Sequence, residues 1–313
     1  MRKKVRSPLP QRHGLDAVRI VLPREGPWRT VREYLVLRLS RLEPERVDEM
    51  VRDGRFVTEE GPVQRETPYR PGASVWFHRE LPDERPVPFD VQILHRDENI
   101  VVVHKPHFLA TTPRGQHVVQ TALVRVRQQL DLPELIPAHR LDRATAGVLL
   151  FVVRPEVRGA YQRLFSQRLV HKEYEAVAPV RPDLSLPTVV RSRILKRRGV
   201  IQAKEVPGEP NAETYVELIE SRGELGRYRL IPRTGRTHQL RVHLNSLGIP
   251  IVGDPIYPEV RESAWEDFSR PLQLLARTLA FTDPITNEER SFTTPASLSA
   301  WTGERQPTGT RGS

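Results

Sequence analysis

The residues best placed to do chemistry stand in AHRLDRATAGVLLF, residues 138–151, where His139, Arg140, Asp142 and Arg143 crowd a short polar segment ahead of an all-apolar run. A carboxylate on a loop that a buried strand holds still can serve as nucleophile or base. Three basic neighbours keep it ionised and attract phosphate. The same pattern also fits a structural ion pair between Asp and Arg. Gly147 supplies the freedom for a sharp turn into the strand. A second segment, RLIPRTGRTHQLRVHLNSLGIPIVGDPIYP at 229–258, places Thr234 or Thr237 to cap a helix whose buried stripe is Leu240, Leu244 and Leu247. His238, Arg241 and Asn245 then share the opposite stripe, which meets either a cleft or water. His238 and His243 lack the i, i+4 spacing of a zinc pair, and no metal site is expected. Asp254, in VGDP, reads as a turn residue beside Pro255.

The elements that must position these groups are legible from periodicity. VLLFVV, 148–153, is too short for a helix and apolar at every position, as a strand buried on both faces requires. VQILHRDENIVVVHKP, 91–106, reads as a hairpin ended by proline. Val118, Val119, Ala122, Leu123, Val126 and Leu130 mark one face of a helix with Arg125 and Arg127 toward solvent, and Val157, Tyr161, Leu164, Phe165 and Leu169 mark another. HKEYEAVAPV from 171, AETYVELIES, RYRLIP and LLARTLAFTD are strands. Strands outnumber helices, which predicts an α+β domain built on a central, largely antiparallel mixed sheet flanked by helices.

Prolines and charges divide the chain further. Residues 1–28 read as a basic, poorly ordered arm and 29–80 as a small helix, helix, strand unit. LPDERPVPFD, 81–90, has the composition of a linker; 88–300 is the large domain, and 302–313 a disordered tail. The 313 residues contain no cysteine, which excludes disulfides, thiolate metal sites and a cysteine nucleophile. The net charge is +10, and 43 of the 49 basic residues are arginine. That balance favours an anionic partner, nucleic acid or acidic lipid, although codon usage in a GC-rich genome gives the same arginine skew. Neither a leader with an apolar core nor an apolar run of about 18 residues is found, so a cytoplasmic chain with no membrane partner is expected. GxGxxG and GxxxxGK[ST] are absent, which argues against dinucleotide and P-loop chemistry.

HRLDRATAGVLLF with RTGRTHQLRVHLNSLGIPIVGDPIYP closely resembles the signature of the Rlu-type RNA pseudouridine synthases, and HKEYEA at 171–176 resembles that family's intermediate strand motif. With the hairpin ending in HKP, the resemblance spans about 88–285. It implies the pseudouridine synthase fold and an isomerase that needs no cofactor. It implies Asp142 as the catalytic aspartate, Tyr174 packed on the target base, Arg241 paired with the aspartate, and RNA contacts from Arg140, His139, Arg143, Arg236 and His238. The chain departs from the family at Ala146, commonly Ser or Thr, and in HFLATTPRGQH after HKP. Residues 29–80 loosely resemble the small alpha-L RNA-binding domain, with its basic helix diluted by Glu43, Glu45, Asp48 and Glu49. The expectation is therefore a monomeric enzyme that flips a uridine out of ribosomal or transfer RNA and isomerises it. Two rivals are weighed. One is a non-catalytic RNA-binding or ribosome-assembly protein on the same fold; the other is a two-carboxylate glycosidase, for which a second acid motif is lacking.

Overall fold

The computed structural model of the chain describes residues 6–261 and 267–303. It divides into two compact units, Met1–Asp83 and Glu84–Ser313. The first unit comprises β1 (Val18–Val21), α1 (Val31–Arg38), α2 (Pro44–Arg52), β2 (Val57–Thr58), β3 (Gly61–Pro62) and β4 (Ser74–Phe77), with sheet order β1-β4-β2-β3. Thr30 caps α1 by accepting from Glu33 N, and Pro44 opens α2, where its missing N–H costs nothing. Leu35, Val47, Phe56 and Val75 are buried at its centre. The arm expected over 1–28 is corrected here: β1 pairs with β4 from Val18↔Phe77 to Val21↔Ser74, and Ile20 and Leu22 are buried. The strand is only four residues long and carries Arg19, which hid its alternation.

The second unit holds β5 (Gln92–Arg96), β6 (Ile100–Lys105), α3 (Ala122–Leu130), β7 (Ile136–Pro137), β8 (Ala146–Val152), α4 (Arg158–Ser166), β9 (His171–Pro179), β10 (Thr188–Leu195), β11 (Lys204–Val206), β12 (Ala212–Arg222), β13 (Leu225–Pro232), α5 (Gln239–Ser246), β14 (Leu274–Thr282), β15 (Glu289–Thr293) and α6 (Ser299–Thr302). Its eleven-stranded sheet runs β11-β10-β12-β13-β9-β14-β8-β6-β5, with β15 on β14 and β7 on β8. Every pairing is antiparallel except β14 with β8, which bears out the α+β, mostly antiparallel expectation.

The apolar run of β8 serves two cores at once. Leu149 and Phe151 pack with Val101, Val103 and α3 on one face, while Val148, Leu150 and Val152 pack with Ile100, Val102 and α4 on the other. Alternation along a strand sends successive side chains to opposite faces, so both faces being buried forces every position to be apolar. Gly147 lies within this strand rather than in a turn: its φ is +121°, and a Cβ there would stand 2.2 Å from the Ala276 carbonyl oxygen. The glycine is what lets β14 approach β8.

Two further expectations change. Helix α3 starts at Ala122, capped by Thr121. Its arginines do not face solvent, since Arg125 donates to the Phe89 and Val87 carbonyls and Arg127 Nε to Leu135 O. The second half of the presumed linker is packed as well. Glu84 accepts from the backbone N–H groups of Val118, Val119 and Gln120, and Val87 is buried. The carboxylate answers three donors ahead of a helix, which fixes 84–90 to this unit. Of the tail, residues 304–313 lie outside the described residues.

Candidate active site

Asp142 sits on the loop between β7 and β8, and the segment after β6 holds that loop from beneath. Thr111 Oγ1 donates to Leu141 O and accepts from Leu141 N. His107 Nδ1 donates to Ala144 O at 2.7 Å. The Lys105 ammonium, wholly buried, donates to the carbonyls of Pro106 and Leu109 at 2.8 Å and of Arg143 at 3.3 Å. Three N–H groups thus meet three carbonyls, so this buried charge is fully hydrogen-bonded. Burial pushes the Lys105 pKa down to about 7, against the pull of the Asp142 carboxylate.

Lys105→Met is expected to orphan those carbonyls, each worth roughly 1–3 kcal/mol when buried without a partner, and to lower the melting temperature. The sign with pH follows from proton binding. Between about pH 7 and the ordinary lysine value of 10.5 the unfolded chain holds the proton that the folded one has released. The stability of the native chain relative to Lys105→Met therefore rises with pH across that window. Paired melts at about pH 6.5 and about pH 9, one just below that window and one inside it, check both the drop and its direction.

Above the loop opens a cavity of about 780 Å³. It brings together Asp142, Tyr174, Arg241, Arg140, His139, Arg236 and His238, all singled out from sequence; Arg143 is not among its lining residues. Arg241, 2% exposed on α5, is the hinge of the arrangement. Its Nη1 stands 3.5 Å from Asp142 Oδ2, while Nε and Nη2 form a two-pronged pair with Asp254 at 2.8 and 2.6 Å. Asp254 is not a mere turn residue. It is buried, accepts from Ile256 N and Tyr257 N as well, and so locks the guanidinium in place. Burial opposes the Arg241 charge, but the hydrogen bonds to Asp254 and the fields of Asp254 and Asp142 outweigh it and raise its pKa. Tyr257 completes the set, with its ring 5.3 Å under the guanidinium carbon.

Helix α5 begins unlike the expected threonine cap. Gln239 Oε1 accepts from Thr234 Oγ1 and Arg236 N, and its amide donates to Glu213 O and Thr214 Oγ1, so Gln239 holds the turn. His238 occupies the cap position at φ +59°, 12% exposed, with Nδ1 3.0 Å from Tyr257 Oη and Nε2 4.0 Å from Asp142 Oδ2. Burial lowers its pKa, Asp142 raises it and Arg241 lowers it again, for a net downward shift. His243 points elsewhere, to Thr214 and Ser192.

Tyr174 comes from β9, opposite Leu230 and Ala276. Its phenol is pushed upward, by burial first and then by the Asp142 charge, and so stays protonated. His139 Nε2 accepts from Leu150 N and its ring stacks on Phe165 at 4.4 Å, so it forms part of the cavity wall. Arg143 is half-buried beside the Lys105 clamp and is not among the residues that line the cavity. The rim carries four exposed arginines, Arg140, Arg168, Arg233 and Arg236. Arg168 and Arg233 were not picked out from sequence, where charge alone cannot tell a rim from any other solvated face. Among the described lining residues Asp142 is the sole carboxylate. One carboxylate against a fixed guanidinium, within a cationic rim, suits an anionic polymer as ligand; a two-carboxylate hydrolysis needs a second acid.

The sequence profile described as RNA pseudouridylate synthase matches residues 99–246. The dual-specificity RNA pseudouridine synthase RluA of Pasteurella multocida is 33% identical over 211 residues, covering 66% of this chain and 93% of that protein. The chain belongs to the RNA pseudouridine synthase family. RluA of Escherichia coli is 34% identical over 212 residues, 65% of this chain and 92% of the relative. Among solved structures, human RNA Pseudouridylate Synthase Domain Containing 1 superposes with a TM-score of 0.55 at 25% identity, covering 68% of this chain and 86% of that one. The chain is thus an isomerase of the pseudouridine synthase fold. Among its described residues no helix is long and apolar enough to cross a membrane.

Proposed function

We propose that the chain isomerises defined uridines in structured ribosomal or transfer RNA, with Asp142 acting at the sugar. The observation that carries this is the Asp142–Arg241 contact at 3.5 Å at the foot of a cavity whose described lining holds no second carboxylate. Pseudouridine formation breaks the bond from N1 to C1′, turns the uracil, and joins C5 to C1′. Whether the carboxylate attacks C1′ or takes the C2′ proton, the reaction opens at that oxygen, and a fixed anion steadies positive charge growing on the sugar ring. No electrons and no external group are exchanged, so the chemistry calls for no cofactor. A paired or stacked uridine cannot reach the floor of a cavity, so the base must leave the stack; the Tyr174 ring, beside Asp142, is the surface on which it rests. The arginines of the rim hold the flanking phosphates.

The first unit contributes a share of the grip on RNA. Arg32 and Arg46 are taken up by Asp48, Glu49 and Glu80, which leaves the exposed Arg38, Arg41 and Arg52 for phosphates. Replacing these three by Gln is expected to flatten the salt dependence of RNA affinity, by roughly 0.7–0.9 in log–log slope for each phosphate no longer neutralised. Saturated turnover should be unchanged, and an unaltered slope would remove this unit from the RNA interface.

The substrate is found by mapping pseudouridine chemically in total RNA from cells with and without the protein. Loss of discrete sites identifies the target RNA; an identical map in both would overturn the proposal.

A further inference from the structure

Isomerisation leaves one proton to be accounted for, and this inference rests on the uridine chemistry proposed above. Once C5 has joined C1′ it still carries its hydrogen. The C5–H bond must break, its electron pair forming the C5=C6 bond while the C6=N1 pair moves onto N1. A base takes the proton from C5, and N1 gains one.

The base must lie close to Asp142, because C5 is by then bonded to the carbon beside which that carboxylate works. Most of the cavity's polar groups near that point are already committed. Arg241 is a buried cation, and the Tyr174 phenol holds its own proton. His139 Nε2 is occupied by Leu150 N, and Lys172 Nζ donates to Thr234 O. His238 differs. Tyr257 has one phenolic proton, and Ala203 O receives it at 2.9 Å while Ala203 N donates back at 2.8 Å. The remaining bond to His238, at 3.0 Å, then runs from Nδ1–H to the phenol oxygen. This fixes the tautomer: the hydrogen is on Nδ1, and Nε2 presents a lone pair. That lone pair faces Asp142 Oδ2 across 4.0 Å. Two acceptors opposed over such a gap call for a proton-bearing group between them. The backbone bears a conformational penalty to set this up, since His238 is held left-handed at φ +59°.

We propose that His238 Nε2 is the base that takes the C5 proton after the new glycosidic bond has formed, with Tyr257 as the residue that positions its ring. The imidazolium then gives its proton to water and N1 is protonated from water, so no proton is gained or lost overall.

His238→Asn tests this sparingly. Asn tolerates the left-handed backbone and can offer an amide N–H where Nδ1 stood, but has nothing at the place of Nε2. With RNA carrying uridine deuterated at C5, the variant is expected to bind RNA as the native chain does. Its single-turnover rate should fall by roughly 10²–10⁴-fold, the usual worth of a general base, and a primary deuterium isotope effect should emerge because C5–H cleavage has become the slow step. The charged and titratable groups facing His238 are Asp142, Arg241, Asp254, Lys196 and Tyr257. Since Nε2 works only when neutral, the native rate should fall as the pH drops through the depressed imidazole pKa, and the variant should lack that acid limb.

Should His238→Asn not fold, Tyr257→Phe reads the same point: a slowing of roughly three- to tenfold, the equivalent of one neutral hydrogen bond, together with a larger isotope effect. A His238→Asn rate within about threefold of native, far short of the loss of a general base, would overturn the inference. So would slowing without an isotope effect in whichever variant folds, or a Tyr257→Phe chain equal to native in both readouts. If the native chain converts no uridine in any RNA, the function proposed above fails and this step falls with it; a native chain that is active while the variants match it sinks this step alone.

Discussion

Asp142→Asn is expected to fold and bind RNA as the native chain does while losing at least ~10² in single-turnover rate. The side chain is one-third exposed, and the fixed charge near it, Arg241, keeps Asp254 as its principal partner. Removing the negative charge therefore leaves no buried cation unmatched, and stability should move little. The loss falls on chemistry because the amide can neither attack the sugar nor accept a proton from it. Melting curves, RNA affinity and single-turnover rates on one transcript separate the three effects. More than about a hundredth of the native rate remaining would reassign the opening step to another group.

Arg241→Ala should be costly in two ways. It strands Asp254, whose side chain is 1% exposed, and breaking a buried pair from one side typically costs about 3–5 kcal/mol. It also removes the group at 3.5 Å from Asp142. Adding Asp254→Asn to Arg241→Ala takes away the stranded charge, so the double variant should regain part of the lost stability while remaining slow. Arg241→Lys keeps a charge without the planar fork and should fall between the two. Urea melts alongside single-turnover rates give the answer. A double variant no more stable than Arg241→Ala would mean that Asp254 is not held by this pair, and an Arg241→Ala chain of native rate would take the guanidinium out of the chemistry.

How far the sequence could be read depended on whether a signal was local. The strand β8 was plain because burial on both faces writes itself as an unbroken apolar run over Ala146–Val152. Asp142, Tyr174 and Arg241 were found through motif resemblance, and they do line one cavity. What spacing left hidden was partnership. Asp254 is thirteen residues from Arg241, beside a proline, and looks like a turn until the fold brings the two together. Tyr257 stood in the same motif, but only its contacts with Ala203, His238 and Arg241 reveal a role. His139 and Arg143 show the reverse: polar residues flanking a loop carboxylate look exposed in sequence, while here one is bound by the strand and the other is half-buried beside the Lys105 clamp. Glu84 and Arg125 show the same limit for segments of linker-like composition, where side chains reaching to backbone groups supply the order that hydrophobicity does not.

The central claim is that this chain converts uridine to pseudouridine through Asp142. It is tested most directly by incubating the purified protein with RNA labelled with tritium at uridine C5 and counting the label released, native chain beside Asp142→Asn. The RNA is taken from cells lacking the protein, so that its target sites are unmodified. The account predicts stoichiometric release at a small set of sites by the native chain, with pseudouridine mapped at each, and no release by the variant. Equal release by both, or pseudouridine at no site after incubation with the native chain, would contradict it.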